Sequence, residues 1–167
     1  MAWSTPYDFT TGEIVTASIL DTYLSGNLSH LYLVRKQVLD YQQITSDTGI
    51  TGTSFSSPSA VINGTSIAYD GSTPILFEFY TPALSAAAGN TSTVALYDGS
   101  THIAILMTGR GTSGVAAIRF TPAAGSHTYQ VKGWASNSDP NNYVRAGNAG
   151  GGGAYAPAYI RITTDGT

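Results

Sequence analysis

The chain has 167 residues with seven Lys+Arg, ten Asp+Glu and no cysteine. That length predicts one compact domain with a core sufficient to fold without staples, and the absence of cysteine excludes disulfides, thiolate metal sites and a thiol nucleophile. A net charge of −3, with Arg35-Lys36 the only adjacent basic pair, argues against a cationic nucleic-acid or anionic-membrane surface. Abundant Gly, Ser, Thr, Ala and Tyr, with plentiful β-branched residues, instead predicts a folded β-rich protein with an uncharged polar surface. Such a surface gives little charge repulsion and favours assembly.

Residues 1–16 read as an extended leader, because Pro6 and Gly12 oppose a helix. Trp3, Phe9, Ile14 and Val15 are its anchoring side chains, which need a neighbour to cover them. Met1–Pro6 has neither a basic n-region nor an apolar h-region, so no secretion signal is expected. Asn27, Asn63 and Asn90 each begin an Asn-x-Ser/Thr triplet, which chance explains in that setting. No apolar run is long enough for a membrane-spanning helix.

Residues 17–43 are the one amphipathic helix candidate, with Thr16 as its N-cap. Leu24, Leu28, Leu31 and Val38 fall at heptad spacing and predict an oligomerisation or docking seam. Ile19, Leu20, Leu33, Val34 and Leu39 widen the apolar face. Gly26-Asn27 marks a kink or break. A continuous helix would span roughly 40 Å and is marginal without a partner.

Residues 44–53 read as a turn-rich connector, and residues 54–167 as an antiparallel β-sandwich or jelly roll. The expected strands are Ser59–Asn63, Thr65–Tyr69, Ile75–Tyr80, Thr93–Tyr97, His102–Thr108, Val115–Phe120, Thr128–Ser136, Tyr143–Ala146 and Ala158–Thr163. Asp70-Gly71, Asp98-Gly99, Ala124-Gly125 and Asp139-Pro140-Asn141 are the turn signals between them. Gly109–Gly114 reads as a hairpin loop, since it has neither the strand-to-helix setting of a dinucleotide loop nor a P-loop ending. The Gly150–Gly153 run reads as a flexible surface loop, with a partner-touching tip as the alternative.

Chemistry-bearing patterns are sparse. His30, His102 and His127 are far apart and show no metal-ligand spacing, so structural polar roles are expected. Glu78 opposes Phe77 and Phe79 on its strand and reads as a solvent-facing charge or a subunit salt bridge, not half of a glycosidase pair. No catalytic residue, metal or cofactor is expected. Eleven tyrosines are unusual; Tyr143, Tyr155 and Tyr159 are the candidates for surface contact, against a reading as core or inter-subunit packing.

The N-terminal pattern Trp3-Ser4-Thr5-Pro6, Phe9–Ala17 with Thr11-Gly12-Glu13-Ile14-Val15-Thr16-Ala17, Leu20-Asp21 and Asn27-Leu28-Ser29-His30-Leu31 resembles the start of a group of small tailed-bacteriophage structural proteins. That group usually has Asn where Asp21 stands and a charged residue near Gly26. The ending Ala156–Thr163 looks like the last strand of their jelly-roll heads. The resemblance implies a virion protein, anchored by its N-terminus on a major capsid or tail protein and displaying a β-domain. Members serve as head decoration, head fibre or tail fibre. A homotrimer suits such sites by analogy, and the alternative is a tail fibre or tail-tip protein whose β-domain binds a host surface glycan or protein.

Overall fold

A computed structural model of the chain describes residues 14, 16–25, 27–28, 37–149 and 153–165. The fold is mainly β: an antiparallel sandwich preceded by a short helix. Thr16 is in extended conformation, and its hydroxyl accepts from Ile19 N at 3.3 Å, capping α1 (Ala17–Leu20). A π-helical turn, Asp21–Ser25, follows directly. Trp3, Phe9, Val15 and Leu31 lie outside the described residues.

The strands are β1 (Val38–Ile44), β2 (Thr48–Gly49), β3 (Ser59–Asp70), β4 (Ile75–Ser85), β5 (Ser92–Asp98), β6 (Thr101–Gly109), β7 (Thr112–Phe120), β8 (Ala124–Ala135), β9 (Tyr143–Arg145), β10 (Asn148–Ala149), β11 (Gly153–Ala154) and β12 (Ala158–Thr164). One sheet runs β1-β12-β4-β9-β2 with β7 also on β4, and the other runs β3-β8-β5-β6. Leu84 pairs with both Thr112 and Val144, so β7 takes one edge of β4 while β12 and β9 share the other.

The core follows from period-two alternation. In β4 Ile75, Phe77, Phe79 and Leu84 point inward and are fully buried, as are Val94 and Leu96 of β5, Val131 of β8, and Ile160 and Ile162 of β12. Leu76, Glu78 and Tyr80 alternate onto the outer face.

Four boundaries differ from the sequence expectation. The helix expected to run to residue 43 does not: Val38 begins β1, pairing with Thr163, and the sandwich therefore starts well before residue 54. The heptad coincidence at Val38 loses to a main-chain ladder that covers the edge of β12. The connector contains the end of β1 and the two-residue β2 on β9. Ser59–Asn63 and Thr65–Tyr69 are one strand, broken in register between Asn63 and Ser66.

Gly109-Arg110-Gly111 is not a hairpin loop, because β6 and β7 belong to different sheets. Gly111 (φ 70°) donates its N–H to Leu84 O at 2.7 Å, fixing a corner that closes one side of the sandwich. Asp98-Gly99 does turn a hairpin, whereas Ala124-Gly125 opens β8.

Candidate functional site

Three surfaces hold side chains that the fold itself leaves uncovered. The first is the N-terminal segment. No residue of α1 is buried; Ile14 is 81% exposed, Leu24 55% and Leu28 57%. Asn27 is buried beside Leu28. Burying a leucine-sized side chain is worth about 1.5–3 kcal/mol, so this stretch has a large unspent drive to associate. Of the expected seam, Leu24 and Leu28 stand on the helical stretch, and Val38 is separated from them by its place in β1, where it is 61% exposed.

The second is the outer face of the first sheet. Gln43, Tyr159, Tyr80 and Val115 form one cross-strand row, and Tyr41, Arg161, Glu78 and Ala117 the next. The Tyr159 ring lies 5.5 Å from that of Tyr41 and 5.4 Å from that of Tyr80. Arg161 Nε and its Nη2 both reach Glu78 Oε2 at 2.8 Å. Glu78 is thus an outward charge held by an arginine of its own chain.

Tyr159 therefore belongs to a sheet face rather than to the loop end expected from the sequence. Tyr143, on β9, carries the Arg145 guanidinium 4.8 Å over its ring, and Arg145 Nη1 donates to Asp47 Oδ2 at 2.5 Å. Tyr155 is 40% exposed in the segment between β11 and β12. The three tyrosines therefore have three different settings.

The third surface is a pocket of about 340 Å³ on the outer side of the second sheet, lined by Phe55, Ser56, Pro58, Tyr97, Ser100, His102 and Lys132. The Asp98-Gly99 hairpin places His102 opposite Tyr97, and their rings meet at 5.3 Å. Phe55 comes from the turn closed by Ser57 N donating to Ser54 O. Its ring sits edge-on to His102 (4.8 Å) and Trp134 (5.6 Å) and is 53% exposed. Tyr97 is 3% exposed, and burial pushes its phenol pKa up. Its hydroxyl donates to Phe55 O at 3.4 Å.

Lys132 Nζ donates to Gly99 O at 2.7 Å and lies 5.1 Å from the Tyr97 ring centroid. Arg119, Arg145, Arg161 and His127 each sit against a carboxylate. Among the described residues Lys132 does not, and neither does Arg110 in the β6–β7 corner. His102 Nε2 is shut off from solvent and has no hydrogen-bond partner, a loss of about 1–3 kcal/mol.

This pocket was only half legible in the sequence. Lys132 and Trp134 alternate on an expected strand, and Tyr97 and His102 flank an expected hairpin turn. Phe55 lies just ahead of the first expected strand, in a stretch with no periodicity, so nothing marked it as the pocket's rim. Among the described residues no three of His, Asp and Glu converge as a metal site, and no helix is long and apolar enough to cross a membrane.

No protein-family model and no curated protein matches the sequence. Among solved structures, one described as the CBM35 from Paenibacillus barcinonensis aligns with 75% of this chain and 91% of its own, at 13% identity and a TM-score of 0.33. At that similarity it bears no weight for this chain's ligand.

Proposed function

We propose that the chain is a non-enzymatic structural component of a tailed-bacteriophage particle, a homotrimeric capsid decoration or head-fibre protein docked through its N-terminal segment. The observation that carries this reading is the run of exposed apolar side chains at Ile14, Leu20, Leu24 and Leu28, ahead of a sandwich whose own core is fully covered. Since three of the four are only about half exposed, they offer of order 4–7 kcal/mol of gross burial, against an association cost of about 4–15 kcal/mol. One copy on a flat surface gains little from that balance. Three copies burying the segment against one another and the particle gain more. The resemblance of residues 1–31 to small virion proteins supplies the particle.

The test is sedimentation of the full chain at micromolar concentration, paired with antibody labelling of intact particles. A trimer, with label spread over the head, supports the reading; a monomer, or label absent from particles, overturns it. A second reading, a tail-fibre or tail-tip protein whose β-domain binds a host surface glycan or protein, is favoured by the exposed aromatic pocket at Phe55. Label confined to the tail would select it.

A further inference from the structure

We infer that the Phe55–His102–Lys132 pocket binds a saccharide carrying a ring carboxylate, of the hexuronate type. This deepens the second reading, but it rests on the pocket alone and holds wherever the protein sits on the particle.

The shape and chemistry of the pocket select the class. A sugar ring has an apolar C–H face and a polar edge of hydroxyls, so its recognition needs an exposed aromatic face beside hydrogen-bonding groups. Phe55 supplies the exposed ring, and Pro58 extends the apolar wall. Ser56, Ser100 and His102 supply hydroxyl and imidazole groups in the same lining. The volume of about 340 Å³ lies at the small end of ligand pockets, which fits one or two rings of a chain passing across the sheet.

The charge follows from Lys132. Its ammonium is fixed at the pocket by Gly99 O and the Tyr97 ring, yet it has no carboxylate partner among the described residues. An ammonium is a compact point charge and matches a single carboxylate. The second sign of an incomplete site is His102 Nε2, buried and unpartnered within the same cluster. A bound hydroxyl that draws Phe55 aside would satisfy it. A rotation of the Phe55 side chain suffices for this, since its ring is half exposed while the Ser54–Ser57 bond and Tyr97 hold the turn's backbone in place.

The experiment is a nuclear magnetic resonance titration of the isotope-labelled full chain with trigalacturonate and with its methyl ester, which keeps the rings and removes the charge. The expected result is saturable shifts at Phe55, Ser100, His102 and Lys132 with the acid, and binding about fivefold weaker with the ester, the worth of one exposed ion pair. Lys132→Met should weaken the acid to the level of the ester while leaving the ester unchanged. Phe55→Ala should weaken both, with the circular dichroism of the sandwich intact. Equal binding of acid and ester, shifts elsewhere on the chain, or no saturable shift overturns the inference. None of those results bears on the particle reading, which sedimentation and labelling test separately.

Discussion

His127 Nδ1 stands 2.5 Å from Asp98 Oδ2, while its Nε2 stands 3.1 Å from Ala123 O. Both ring nitrogens thus face acceptors, which only the doubly protonated imidazolium satisfies. The hydrogen bond to Asp98 is the main cause that raises the His127 pKa above its ordinary 6.5, outweighing the opposing effect of burial. Asp98 also accepts from Thr128 N at 3.1 Å, so the pair ties the β5–β6 hairpin to β8.

A raised folded-state pKa means the stabilisation is complete below the ordinary histidine value and fades as pH rises through the folded value. The melting temperature should therefore fall as pH is raised from below 6.5 through the raised His127 value. In His127→Phe that part of the pH profile should disappear. A profile unchanged by the substitution would show that the pair contributes nothing.

The docking role of the N-terminal segment predicts a separation of assembly from folding. Leu28 is 57% exposed, and no residue of α1 belongs to the sandwich core. Leu28→Asp should abolish the trimer in sedimentation while leaving the β circular dichroism unchanged and the stability of the sandwich within about 0.5 kcal/mol of the parent. Loss of the β-signal as well would place Leu28 in the core of the β-domain.

The Glu78–Arg161 pair should matter little to stability. Both nitrogens of Arg161 reach one carboxylate oxygen, but the arginine side chain is 43% exposed on the outer face. Screening by water leaves such a pair about 0–1 kcal/mol. Glu78→Gln should lower stability in urea denaturation by no more than that, and less in high salt. A loss of several kcal/mol would mean that the face is covered in the folded protein, as a trimer interface would require.

The sandwich was legible where one face of a strand is dry. Ile75–Tyr80 and Thr128–Trp134 alternate cleanly, because their inward side chains meet the opposite sheet and their outward ones meet solvent. β1 was not legible, because its inward positions are polar: Asp40, Gln42 and Ile44 face the interior, with only the last apolar. Its apolar residues happen to fall on a helical period instead. The outer-face sites were legible only in part, since cross-strand neighbours such as Tyr41 and Tyr159 are set by register, which local periodicity does not encode.

Asp40 explains why a polar strand belongs inside the sandwich. It is 5% exposed, its Oδ2 accepts from Thr65 N at 2.7 Å, and its Oδ1 accepts from Gln42 Nε2 at 2.9 Å. Thr65 stands where the register of β3 breaks, so the carboxylate satisfies an amide that the ladder to β8 leaves over. This bond joins β1 of one sheet to β3 of the other, on the side away from the Gly111 corner. Gly64 makes room for it: a Cβ there would meet Tyr129 O at 2.5 Å and Asp40 Oδ2 at 2.7 Å. Asp40→Ala should cost about 1.5–3 kcal/mol, the worth of a hydrogen bond to a charged group. Gly64→Ala should be destabilising by the same route, because its methyl group displaces the carboxylate from Thr65. Hydrogen exchange at Thr65 N reads the bond directly: both variants should lose protection there while the β5–β8 ladder keeps it. Unchanged protection at Thr65 in Asp40→Ala would mean that another group closes that side of the sandwich.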